Sequence, residues 1–132
     1  MKLAAAFFDF DAAQVMALLD GGVLAVHSVA RPRTPNDPIT RSGLLVTFRF
    51  ASPAFDPQGN AVFVENPVVA TGIGTPGFAR AYQSDGATVV ADFSVGPGGE
   101  VSLGEVSTTT GYPIALTALR LETWPIKYAA AE

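Results

Sequence analysis

The sequence contains no cysteine, which excludes disulfide staples, thiolate nucleophiles and cysteine-based metal sites. Charge is scarce too. Asp, Glu, Lys and Arg make up 15% of the chain, against roughly 25% in an ordinary soluble domain, and lysine occurs only as Lys2 and Lys127. Depletion of charge marks the buried centre of interfaces, so the composition points to a surface partly covered by a partner. The formal net charge is -4. A nucleic-acid binder needs clustered Lys and Arg to neutralise phosphates, whereas Arg31, Arg33 and Arg41 form only a loose set in one loop; no nucleic-acid partner is expected. No run approaches the roughly 18 apolar residues of a membrane span. The apolar start Met1 to Phe8 is interrupted by Asp9 and Asp11 before it reaches signal-peptide length.

What is present suits one globular domain over residues 1–132. A chain of 132 residues can bury roughly two thirds of the surface its unfolded form exposes. Apolar residues at 48% and aromatics at 10% supply one core. The 13 glycines and 10 prolines therefore indicate many short elements rather than disorder.

One helix is expected early. Ala12, Val15, Leu18 and Leu19 share a face at three- and four-residue spacing, Asp9 or Asp11 can cap the start, and Gly21-Gly22 stops it after about three turns. From Val23 onward the period changes to two, most clearly in Leu44-Val46-Phe48-Phe50 and Val89-Ala91-Phe93-Val95. Further strands are expected at 23–29, 61–65, 68–72, 78–83, 101–107 and 114–123. About eight antiparallel strands fit a single β-sandwich or jelly-roll-like domain. Ser84-Asp85-Gly86 is the sharpest turn signal, since Asp-Gly admits positive φ between two strands, and it pairs 78–83 with 87–95 as a hairpin. Residues 30–43 carry three prolines and read as a long loop, a length often tied to contact or function. Beyond Pro125 the last strand cannot continue, leaving Trp124, Ile126 and Tyr128 in an apolar tail. Residues 1–8, with Phe7 and Phe8, and residues 124–132 are candidates for extended arms.

The chemical motifs are weak. Gly72 to Gly77 spells GxGxxG, but an alternating strand follows where a dinucleotide site needs a helix start for the pyrophosphate. His27, the one histidine, lies in a strand with no GxSxG elsewhere; a histidine held by a neighbouring backbone carbonyl accounts for it better than a catalytic one. The acidic pairs Asp9/Asp11, Asp85/Asp92 and Glu100/Glu105 are explained as caps, turns or solvated faces before they are read as a hydrolytic pair. Gly96-Pro97-Gly98-Gly99 lacks the lysine of a phosphate loop. No catalytic residue, cofactor or metal ligand is assigned, and the chain is expected not to be an enzyme.

The order of LAVHSV, a Pro-rich loop, Ser52-Pro53-Ala54-Phe55, Phe78-Ala79-Arg80, Ser84-Asp85-Gly86, Asp92 to Gly96 and Ser107-Thr108-Thr109 resembles a family of small, mostly uncharacterised proteins of tailed bacteriophages and prophages. The likeness spans about Val23 to Glu122; the longer loop at Arg31 to Arg41 and Gly104-Glu105 depart from it. The resemblance implies a virion structural protein assembled in the host cytoplasm, with a capsid decoration or cement role that bridges shell subunits. Its partners would be the major capsid protein or other virion proteins, and a homo-oligomer is expected. Candidate subunit contacts are Arg31, Arg33, Arg41, Phe7, Phe8, Trp124, Ile126 and Tyr128. The alternative is a tail- or fibre-associated module that binds a host glycan or receptor, motivated by Tyr82, Tyr112 and Trp124 as stacking surfaces. A small β hydrolase on the acidic residues ranks behind both.

Overall fold

The computed structural model describes residues 1–28, 32–39 and 43–121. The expected helix forms as α1 (Ala12–Leu18). Asp11 is its N-cap: its carboxylate accepts from the Gln14 amide, and the Gln14 side chain accepts from the Asp11 amide, both at 2.8 Å, which is a capping box. Val15 and Leu19 are fully buried beneath it. Seven residues give about two turns rather than the expected three. The helix closes early because the Leu19 amide donates three residues back, to the Met16 carbonyl, and Gly21 then takes a φ of 67°.

The strands are β1 (Lys2–Leu3), β2 (Val23–Ser28), β3 (Leu44–Phe55), β4 (Ala61–Phe63), β5 (Val68–Val69), β6 (Pro76–Tyr82), β7 (Val89–Ser94), β8 (Val101–Leu103), β9 (Pro113–Ile114) and β10 (Leu116–Leu119). Six of them form one antiparallel sheet in the order β1-β7-β6-β2-β3-β4, while β10 pairs with β8 and β5 with β9. The protein is mainly β and sandwich-like, as its alternating pattern requires. Leu24, Val26, Val46, Phe48, Phe50, Ala79, Ala81, Ala91 and Phe93 from the large sheet meet Val15 and Leu19 of α1 and Val101, Ile114, Leu116 and Leu119 of the short ladders in one core. Phe63 closes it at the β4 edge, its ring 4.8 Å from that of Phe50.

The β6–β7 hairpin forms around Ser84-Asp85-Gly86 with Gly86 at a φ of 71°. Asp85 accepts from the amides of Ala87 and Thr88, each at 2.8 Å, and from the Thr88 hydroxyl. These bonds, the Thr88 hydroxyl first, hold the exposed Asp85 carboxyl below its usual pKa.

Three expectations are corrected. The first residues do not project as an arm: Met1, Leu3 and Ala4 are buried, and β1 pairs with β7. Leu3 gains core burial there while its backbone covers what would otherwise be a bare edge of β7. The 114–123 segment does not run as one strand, because the Asn66 side chain brackets Leu116, donating to its carbonyl and accepting from its amide at 2.9 Å each, and the β8–β10 register shifts between Leu116 and Ala118. The 68–72 and 101–107 runs shorten to β5 and β8, leaving 70–75 and 104–112 as loops that lie side by side. Residues 124–132 lie outside the described part.

The glycine motif has a steric reason. A Cβ on Gly72 would stand 2.3 Å from the Leu44 carbonyl oxygen, so only glycine lets this loop pass against β3. The loop then leads directly into β6.

Candidate functional site

Two places stand out, one for its buried charge and one for its exposed apolar side chains. The first lies on the face of the large sheet opposite the core. Alternation on β6 sends Phe78, Arg80 and Tyr82 to that face, where Arg80 stands opposite Asp92 of β7 and Ala25 of β2. Arg80 and Asp92 are 3% and 0% exposed and share two hydrogen bonds, Nε to Oδ1 at 2.7 Å and Nη2 to Oδ2 at 3.0 Å. The other donors of Arg80 reach the Asp37 carbonyl at 2.8 Å and the Thr34 carbonyl at 3.4 Å. Lys2 donates to the Arg33 carbonyl at 3.3 Å, and the Ala5 amide to Asn36 Oδ1 at 3.2 Å. The described part of the Pro-rich loop, 32–39, is therefore pinned over a buried charge pair, with Pro35 buried beneath it.

His27 sits beside this pair, its ring stacked on Phe78 at 5.1 Å and 14°. Sequence reasoning gave it a backbone carbonyl as partner. Among the described residues neither ring nitrogen, both buried, has one, because β2 is a central strand whose carbonyls are engaged with β3 and β6. Burial, and next the Arg80 charge, hold the His27 pKa below its usual 6.5, with Asp92 opposing them.

The second place is one end of the sandwich, built by the 69–75 and 104–113 segments. The Gly74 and Thr108 backbones exchange hydrogen bonds at 3.2 and 2.7 Å, and Ala70 donates to the Tyr112 carbonyl at 2.9 Å. Thr108, 2% exposed, adds its hydroxyl to the Gly72 carbonyl at 2.8 Å. Of the seven large apolar side chains that stand exposed among the described residues, Leu44, Val69, Ile73, Val106 and Tyr112 belong to this end or to the strand beside it. Ile73 and Val106 are the barest, at 75% and 74%. Beside Val106 opens a mostly apolar cavity of about 380 Å³, lined by Thr75, Pro76, Val95, Pro97, Leu103 and Glu105 among others. Beyond Glu105, a more polar groove of about 310 Å³ runs past Ser107, Thr109 and Tyr112.

The candidate contacts distribute unevenly. Arg33 is exposed and its carbonyl is tied to Lys2. Phe7 and Phe8 are half-buried and pack against the core instead of reaching outward, Phe7 also meeting Phe10 edge-on at 5.2 Å. Arg31, Arg41, Trp124, Ile126 and Tyr128 lie outside the described residues. Tyr82 and Tyr112 are not brought together: Tyr82 sits half-buried opposite Val23, and Tyr112 alone stands by the groove. Five of the six residues of the acidic pairs have separate structural places. Asp11 caps α1, Asp85 holds the hairpin turn, Asp92 faces Arg80, and Glu100 bonds Ser94 and the Met1 amine while Glu105 lines the loop end. Among the described residues no group of three His, Asp or Glu could hold a metal ion, and no helix is long and apolar enough to cross a membrane.

Sequence reasoning missed Ile73 and Val106. Each is a single β-branched residue in a loop, and nothing local distinguishes it from one that packs inward. Comparison with protein-family models, curated proteins and solved structures finds no match for this chain.

Proposed function

We propose that the chain is a non-catalytic structural protein of a phage virion, a decoration or cement protein that docks on shell subunits through its apolar loop end. The observation that carries the docking is Val106 standing bare at the rim of the apolar cavity, with Ile73 equally bare on the adjoining loop, whose Gly74 is bonded to Thr108. Exposed apolar clusters with a polar rim mark contact sites, and a cavity of this kind accepts a partner's aliphatic or aromatic anchor. The charge-poor composition agrees with a surface that spends its life covered. The phage assignment and the major capsid protein as partner rest on the sequence resemblance.

The test is co-sedimentation of the purified protein with phage heads stripped of it. Wild type should rebind, and Ile73→Asp with Val106→Asp should remain in the supernatant while unfolding at the same urea concentration as wild type. Wild-type rebinding by the double variant would reject the docking end. Absence of the protein from purified heads, with immunogold label on the tail or fibres, would move it to the tail- or fibre-associated class.

A further inference from the structure

The groove on the other side of Glu105 from the apolar cavity has a different chemistry, and we propose that it is a saccharide site for a neutral hexopyranose. Its lining is Glu105, Ser107, Thr109, Tyr112, Pro113 and Ile114. A pyranose presents a flat patch of C–H bonds on one face and a rim of hydroxyls that each donate and accept. Tyr112, 66% exposed, offers the flat apolar surface, and Pro113 extends it. The Ser107 and Thr109 hydroxyls can each donate and accept, and the Glu105 carboxylate can accept from two neighbouring sugar hydroxyls through charge-assisted bonds.

The groove is built before any ligand arrives. Thr108, between the two hydroxyl residues, is held by its backbone exchange with Gly74 and by its own hydroxyl on Gly72. The backbone of Tyr112 is fixed, its amide donating to the Thr109 carbonyl at 3.0 Å and its carbonyl accepting from the Ala70 amide at 2.9 Å, and Pro113 belongs to the β5–β9 ladder. Fixing both flanks in advance removes much of the ordering cost that weakens binding to loops. The volume of about 310 Å³ sits at the small end of ligand pockets, which run roughly 300–1,000 Å³, and suits a short saccharide.

Charge narrows the class. Among the described residues Glu105 is the only carboxylate of the lining and no Lys or Arg accompanies it, so a phosphate, sulfate or uronic acid would meet repulsion from that carboxylate. The site is independent of the head-docking reading, which uses the Val106 side of the same segment.

The test is an amide-resolved NMR titration of the whole chain with the methyl glycosides of glucose, galactose and mannose, and with glucuronic acid as the charged control. At least one neutral glycoside should give saturable shifts at residues 105, 107, 109 and 112. Tyr112→Ala should weaken that binding at least tenfold, Tyr112→Phe should keep it, and Glu105→Gln should weaken it less than Tyr112→Ala. Undisturbed shifts elsewhere in each variant's spectrum establish that it is folded. The proposal is overturned if no neutral glycoside shifts these amides, if Tyr112→Ala binds as wild type, or if glucuronic acid binds as tightly as its neutral counterpart.

Discussion

Arg80 and Asp92 face each other across β6 and β7 with two hydrogen bonds at 2.7 and 3.0 Å, both side chains out of reach of water. Removing one member of such a pair strands the other charge in a low-dielectric site, at a cost of about 3–5 kcal/mol. Asp92→Ala should lower the unfolding free energy by about that amount in urea titration. Replacing both with apolar residues, Arg80→Met with Asp92→Leu, leaves no stranded charge and should cost less. The double variant still loses the donors to Asp37 and Thr34, so limited proteolysis should cut within 32–39 faster than in wild type. Equal stability losses for the single and double variants would show that the pair's value is not set by desolvation.

That pair also shows how far the sequence could be read. The Asp85-Gly86 turn and the alternation on either side make the hairpin legible, and a regular ladder counted from Tyr82 opposite Val89 would put Arg80 opposite Ala91. The register instead shifts between Ala81 and Tyr82, which brings Asp92 opposite Arg80. A one-residue bulge reverses which face each side chain takes, and nothing in the local sequence announces it. β1 escaped for another reason: two residues are too few to show a period. The loop end was partly legible, since Ser107 to Thr110 and Tyr112 are visibly polar and aromatic, but its partner segment at 69–75 lies more than thirty residues away. The helix was the easiest to read because its cap, its apolar stripe and its glycine stop all lie within one short stretch.

Gly72→Ala should destabilise the fold by about 1–3 kcal/mol, the usual cost of overpacking, because the new methyl would meet the Leu44 carbonyl oxygen at 2.3 Å. Gly104→Ala is the matched control. Its Cβ would find the Ala115 carbonyl oxygen at an ordinary 3.7 Å, and losing glycine's freedom in the unfolded chain should leave stability unchanged or raise it by up to about 1 kcal/mol. Thermal unfolding of both variants reads the difference, and a Gly72→Ala midpoint equal to wild type would remove the steric account of the glycine motif.

His27 gives the stability a dependence on acid. Burial and then Arg80 lower its folded pKa from 6.5, so the unfolded chain takes up a proton at a higher pH than the folded one does. Stability from this residue is complete above 6.5 and is lost as pH falls from there through the lowered folded value. His27→Phe keeps a ring against Phe78 and removes the titration. The difference in unfolding free energy between wild type and this variant should therefore move against wild type as pH drops below 6.5, while staying flat above it. A difference that stays constant across both ranges would mean that His27 has the same proton affinity folded and unfolded.

Thr108 connects the fold to the groove. Its hydroxyl has one proton to give and lies 2.8 Å from the Gly72 carbonyl and 3.3 Å from that of Gly74. The Gly74 carbonyl also accepts from the Thr108 amide, so Thr108→Val, nearly the same shape, leaves Gly72 as the acceptor that loses its partner. Gly72 is half-buried, so losing this partner should cost about 1 kcal/mol, the low end for an unsatisfied acceptor, and Thr108→Ser should recover most of that. The two variants should differ locally as well as globally, because Ser107 and Thr109 hang from this residue. Hydrogen exchange at the 105–112 amides should accelerate in Thr108→Val and stay near wild type in Thr108→Ser. Acceleration spread evenly over the core strands, with none in excess at 105–112, would assign Thr108 to global stability alone and leave the rigidity of the groove to its backbone bonds.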